Sequence, residues 1–227
     1  MRIDRRFRGP PDSGNGGYFA GLLARELGGS NVIVTLKRPA PLDVDLEVEQ
    51  AGDEWALSSG GEQLAVARAG AVAIDVPPPP SLKAAQAAEA RYSGLQNHIY
   101  PGCFVCGPER ESSDGWRIFP GEIGQGRVAA AWTPDPEFAA ADGILRPEFV
   151  WAALDCPGYF AVENAAGLAL LGRMAVVVHE PVPTGQPLVV QAWAQGSDGR
   201  KHQAGTALHA ADGTLLAAAT QTWVTLR

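Results

Sequence analysis

Four consecutive prolines, Pro77–Pro80, divide this chain more sharply than any other feature. Proline has no N–H to give to a sheet ladder or a helix interior, so the run reads as a stiff connector. The Ala-rich stretch behind it, ending near residue 90, predicts a short surface helix. The segments on either side of this connector are alike. Before it, "GGYFAGLLAREL" (16–27) has a helical apolar pattern, and residues 31–74 alternate in the strand manner with breaks at "RPAP", "AGDE" and "SGGE". After it, "PEFVWAALDCPGYFAVENAAGLAL" (147–170) predicts a helix over at least its first ten residues, with Pro157 expected to interrupt it. Strands follow over 173–226. "VTLKRPAPLDVDLEVE" lines up with "VVVHEPVPTGQPLVVQA", so that Pro39 meets Pro181 and Pro41 meets Pro183. "GGEQLAVARAGAVAI" lines up with "ADGTLLAAATQTWVTL" in the same way. A helix followed by a three- or four-strand antiparallel meander, present twice, is two copies of one supersecondary unit packed together. The expected division is a unit over 1–76, a linker over 77–90 and a unit over 91–227, in the α+β class.

Composition narrows the function classes. With 46% hydrophobic and 19% charged residues the chain has ample material for a core, and its 27 glycines and 18 prolines fit many strands joined by turns. A formal net charge of −7 sets nucleic-acid binding aside. No apolar run approaches the roughly 18 residues that span a bilayer, and the basic start "MRIDRRFRGPPDSG" lacks the apolar region of a secretion signal. The expectation is a cytoplasmic protein with no membrane partner. Three cysteines, an odd number, make no disulfide framework.

A helix this amphipathic needs a sheet to cover its apolar face, and two such units in tandem point to a double hotdog, each long helix wrapped by an antiparallel sheet. At the level of motifs, "NGGYFAGLLARE" followed by "VTLKRPAPLDVDLEVE" resembles the PaaI-like and TesB-like acyl-CoA thioesterases. "CFVCGPERESSDGWRIFPG" (103–121) is similar to the segment preceding the helix in many PaaI-like chains, and "DGTLLAAATQTWVTLR" is similar to the TesB-like ending. The resemblance implies a site between the two units. One unit offers N–H groups at its helix N-terminus to polarise a thioester carbonyl, and the other offers a carboxylate from its helix.

The two helices of this chain divide those parts between them. The first begins Asn15-Gly16-Gly17, and eight positions after Gly16, where the resemblance places an acid, stands Ala24. The second begins Arg146-Pro147-Glu148, where Pro147 has no N–H to give, and eight positions after Pro147 stands Asp155. Each unit keeps what the other has lost, so one composite site of Gly16, Gly17 and Asp155 is expected, its twin inactive. Asn15 is placed to cap the helix or to meet the substrate. The TesB-like ending implies that Gln221 orients the attacking water beside Asp155. A Thr that the same pattern expects is missing, since Leu171, Gly172 and Arg173 stand there.

Other chemistry finds less support. His179 matches a family position that reads as structural, and neither helix carries the His that hotdog hydratases use. Cys103 and Cys106 form a CxxC, for which Cys156 and His98 are the available further ligands, but no second CxxC or HxxxH exists. Packing in small apolar slots accounts better for the cysteines, so no metal is expected. A nucleophilic Cys156 lacks a base, since Asp155, its sequence neighbour, points elsewhere on a helix. No phosphate loop and no GxGxxG occur, and activating water against a polarised carbonyl needs no cofactor. Lys37, Arg38, Arg173, Arg200 and Lys201 are candidates to meet the phosphates of CoA. The reading is thioesterase-like hydrolysis of acyl-CoA or a related acyl thioester, in a possible homo-oligomer. Its rival is a hotdog protein that binds an acyl thioester or lipid without cleaving it.

Overall fold

The computed structural model describes residues 1–29 and 31–226; Ser30 and Arg227, the last residue of the C-terminal motif, lie outside the described residues. The first long element is α1 (Gly16–Leu27). Asn15 caps it, its side-chain oxygen accepting from the Tyr18 N–H at 2.9 Å, and Gly28 ends it at φ +64°, where a side chain would be strained. An antiparallel run follows: β1 (Asn31–Leu36), β2 (Glu47–Ala51), β3 (Glu54–Ser59) and β4 (Glu62–Ala69). After the proline connector comes the expected short helix α2 (Leu82–Ala88), capped by Ser81. The second half holds β5 (Gly121–Gly124), β6 (Arg127–Trp132), α3 (Pro147–Ala166), β7 (Ala169–Val178), β8 (Leu188–Asp198), β9 (Lys201–Ala210) and β10 (Leu215–Thr225).

All ten strands join one sheet in the order β2-β3-β4-β1-β7-β10-β9-β8-β6-β5. Two separate sheets were expected. Instead β1 pairs antiparallel with β7, from Asn31 opposite Val177 to Thr35 opposite Arg173, and the halves share one ladder. Read outwards from that seam, β1, β4, β3 and β2 mirror β7, β10, β9 and β8. The duplication seen in the prolines survives as matching isolated bridges, Ser13 to Pro41 in one half and Ile144 to Pro183 in the other. The hairpin β5–β6 extends one edge and has no counterpart in the first half.

Strand alternation separates the two faces of this sheet. Val128, Ala130, Val190, Ala192, Val176 and Val34 point into the main core with α1 and α3. Their neighbours Ala129, Val189, Trp193, Ala207 and Ala218 point the other way. There α2 covers Ala129 and Val189, while Ile74 and Val76, just before the connector, cover Trp193, Ala207 and Ala218. The segment between the halves is therefore a back cover for the sheet as well as a link. No helix of the described residues is long and apolar enough to cross a membrane.

Pro157 does not end α3, contrary to the sequence expectation; the helix continues through it to Ala166. Proline removes one N–H from the ladder and crowds the carbonyl one turn back. The carbonyl so deprived is that of Ala153; the next two, of Leu154 and Asp155, also accept from the Gln221 side-chain amide, at 2.5 and 3.2 Å. Burial of the surrounding turn holds the rest, with Leu154, Cys156 and Phe160 all in the main core.

Candidate active site

The site begins with two glycines of one helix face. Gly17 and Gly21 are four residues apart on α1 and both meet the backbone of α3. A Cβ on Gly17 would lie 2.5 Å from the Asp155 Cβ and the Trp151 carbonyl oxygen; one on Gly21 would lie 2.6 Å from the Glu148 Cα. Because the later glycine meets the earlier part of α3, the helices run antiparallel. The N-terminus of α1 is thereby delivered to the middle of α3, at Asp155.

There the carboxylate is held across the helix interface. Asp155 Oδ2 accepts from the Gly17 N–H at 2.9 Å and from Asn15 Nδ2 at 2.8 Å. Asn15 thus caps α1 with its oxygen, one of the two roles expected of it, and gives its nitrogen to Asp155, a role that was not expected. The other carboxylate oxygen, Oδ1, is buried and has no partner among the described residues. Asp155 is only 2% exposed, and burial pushes its carboxyl up from 3.8 to about 7, while the Gly17 N–H pulls against that rise.

The structure brings Asn15, Gly16, Gly17 and Asp155 together as expected, but corrects two roles. The Gly17 N–H is committed to the carboxylate and is not directed at a substrate carbonyl. Gly16 lines the cavity, and its N–H, the first orphan donor of α1, makes no protein hydrogen bond among the described residues. Gln221 is fully buried behind the helix: its nitrogen is on the α3 carbonyls and its oxygen accepts from Trp223 Nε1 at 2.8 Å. It contacts the Asp155 backbone and makes no hydrogen bond to the carboxylate. Gly158 is what lets it approach, since a Cβ there would overlap the Gln221 amide.

Asp155 opens on a cavity of about 370 Å³. Tyr159, Phe160, Leu171, Phe19 and Trp223 give it apolar walls, and the exposed cations Lys37 and Arg38 line its solvent side. Trp223 was missed from sequence, although it lies two residues from Gln221 on a strand and so shares its face. The cysteines were expected only to pack in small apolar slots. Cys103, Cys106 and Cys156 instead converge on the wall of this cavity, beside Asp155. The Cys106 and Cys156 thiols hold Cys103 well below the usual thiol range.

A second cavity, about 420 Å³, lies at the mirrored position and is lined by Ala24, Arg25, Arg146 and Pro147. Ala24 supplies no carboxylate and Pro147 no N–H. Glu148 lies close by, but it is buried and turned to Arg25 at 2.9 Å.

No protein-family model matches the chain, and no curated protein matches it significantly. Solved structures do. A candidate thioesterase from Novosphingobium aromaticivorans superposes with a TM-score of 0.65 at 16% identity, over 100% of this chain and 94% of that one. The tesB protein of Mycobacterium avium subspecies paratuberculosis gives 0.61 at 17% identity, over 96% and 90%. A hot dog fold protein of unknown function from Alicyclobacillus acidocaldarius gives 0.62 at 15% identity, over 100% and 92%. The chain has the hotdog fold, spread over one large antiparallel sheet.

Proposed function

We propose that this chain is a tandem double hotdog, with units 1–76 and 91–227, that hydrolyses acyl thioesters at one composite site. The observation that carries the reading is the Asp155 carboxylate, fixed through Oδ2 by Asn15 and Gly17 of the opposite half while Oδ1 is left without a protein partner. A general base needs one anchored orientation and one free lone pair; Oδ1 has that lone pair, buried on a residue that lines the cavity. The Gly16 N–H at the helix N-terminus is the donor for the developing oxyanion, and the dipole of α1 acts in the same sense. The acyl chain occupies the apolar cavity. Lys37 and Arg38 at its solvent side suit the phosphates of CoA, and the structural neighbours named as thioesterases agree with this class of substrate. Gln221 is a positioning residue that fixes the Asp155 backbone.

The test is thiol release from a panel of acyl- and aryl-CoA esters by the parent protein and by Asp155→Asn and Asp155→Ala. Hydrolysis is expected to fall at least about a hundredfold in both variants with folding intact. Unchanged rates would remove the composite site. One observation favours the rival reading: both ends of the Gln221 amide are committed, so Gln221 is not free to hold a water beside Asp155. A parent protein that binds these esters saturably and cleaves none of them would be the non-catalytic binder.

A further inference from the structure

Three cysteines far apart in sequence meet beside the carboxylate. The Cys103, Cys106 and Cys156 sulfurs lie within 4.8 Å of one another, and Cys103 and Cys156 are 3.7 Å apart. All three are buried and unbonded to each other. The first two come from a tight turn. The Cys103 N–H donates to Tyr100 O and the Gly107 N–H to Cys103 O, each at 2.9 Å, and a Cβ on Gly107 would run into the Pro101 and Cys103 carbonyls. The third comes from α3. From sequence Cys156 and His98 were the available further ligands for the CxxC, with no second CxxC or HxxxH; the fold brings Cys156 to it.

Packing of small apolar side chains explains a buried cysteine, but not N–H groups turned on the sulfurs. Asn15 Nδ2 lies 3.6 Å from Cys156 Sγ and 3.9 Å from Cys103 Sγ, and His98 Nε2 lies 3.3 Å from Cys106 Sγ. The Tyr100 N–H donates to His98 Nδ1 at 2.9 Å, so the neutral ring carries its proton on Nε2, facing the sulfur. Donors of this kind offset negative charge on thiolates, the part outer-shell groups play around metal ligands. The Cys103–Cys156 spacing of 3.7 Å fits as well, and Cys106, within 4.8 Å of both, would close up on a bound ion. A tetrahedral ion with metal–sulfur bonds of about 2.3 Å sets its sulfurs roughly 3.8 Å apart.

We propose that Cys103, Cys106 and Cys156 form a three-thiolate site for a zinc-class divalent cation. The fourth ligand is a water or a substrate atom from the cavity, which all three cysteines line. Each thiol gives up its proton to solvent as its sulfur becomes a ligand, with no redox change. Three thiolates and a dication leave one net negative charge, which faces the Asn15 and His98 N–H groups. The site ties the 98–107 loop to α3, and it stands whether or not the cavity hydrolyses thioesters.

The experiment is elemental analysis of protein purified without chelator, followed by anaerobic titration of the fully reduced full chain with zinc and with cobalt. About one zinc per chain is expected. One equivalent of cobalt should give the visible spectrum of a four-coordinate ion and thiolate-to-cobalt absorption of three-sulfur intensity. Cys106→Ser and Cys156→Ser should each lose about a third of that absorption and bind zinc at least about a hundredfold more weakly. His98→Ala should keep the full absorption and weaken zinc by about 10–100-fold, as an outer-shell donor does. A folded parent with three titratable thiols that takes up neither ion overturns the proposal, whatever the variants do. So does a parent whose tight zinc survives both serine substitutions.

Discussion

Asp155 and Gln221 touch the same turn of α3 from opposite sides, one with its carboxylate and the other through backbone carbonyls. This geometry separates two roles that sequence could not. If Gln221 held the attacking water, Gln221→Ala would lower the rate and leave stability alone. With its amide on Leu154 O and Asp155 O and its oxygen on Trp223 Nε1, the substitution strands the buried Trp223 N–H and takes a second donor from two helix carbonyls. Loss of such bonds costs about 1–3 kcal/mol. Gln221→Ala is therefore expected to lower Tm, by roughly 2–4 °C per kcal/mol for a chain of this size, together with any loss of rate. A thermal melt identical to the parent's would return Gln221 to the water-holding role. Asp155 itself was legible because a carboxylate in an apolar helical run demands a partner. The partners were legible only in part. That Asn15 donates to Asp155 while capping α1 depends on the helix crossing, which no spacing encodes.

At the scale of elements the crossing is set by glycine. Gly17 and Gly21 form a flat strip that lets α1 lie on the α3 backbone, so the strip is what places Asn15 and Gly17 on Asp155. Gly21 makes the cleaner probe because it lies a turn away from the carboxylate. In Gly21→Ala the new Cβ would fall 2.6 Å from Glu148 Cα, backbone that cannot swing aside as a side chain does. Forcing the helices apart is expected to cost about 1–3 kcal/mol. Hydrolysis should fall with stability, since the Asn15 and Gly17 bonds to Asp155 stretch together. Calorimetry beside CoA-ester assays checks this; an unshifted Tm would show that the helices have room. The helices and the meander strands were readable from periodicity, because each buries one face. The passage of α3 through Pro157 was not, since local preference argued for a break and burial of the surrounding turn in the core overrode it. Likewise the CxxC of Cys103 and Cys106 was visible in the sequence, but its convergence with Cys156 is tertiary. The short β5–β6 hairpin follows "WRIFPG" without strong alternation and lacks a counterpart in the first half to reveal it.

The whole molecule turns on the seam between β1 and β7. Repeats in sequence fixed the expectation of two similar units, and the mirrored strand order on either side of the seam agrees with that. What repeats could not show is that the seam is itself a ladder, with five residue pairs from Asn31–Val177 to Thr35–Arg173. Residues 1–76 alone would expose this strand edge and the α3-facing strip of α1, both invitations to aggregation. The connector and the residues just before it contribute from behind: Gln191 donates to Pro77 O at 2.8 Å, and Ile74 and Val76 cover Trp193. The halves should therefore behave as one cooperative unit even when the chain between them is cut. A protein cleaved once between Pro80 and Ser81 is expected to run as a single particle in gel filtration and to unfold in one calorimetric transition, with calorimetric and van't Hoff enthalpies equal. It should keep the Asn15–Asp155 bond and with it the proposed composite site, because these residues meet through packing and not through the linker. Halves that separate, or two resolved transitions, would mean that the shared ladder joins two independently stable domains, and a site built from both would then open whenever the seam did.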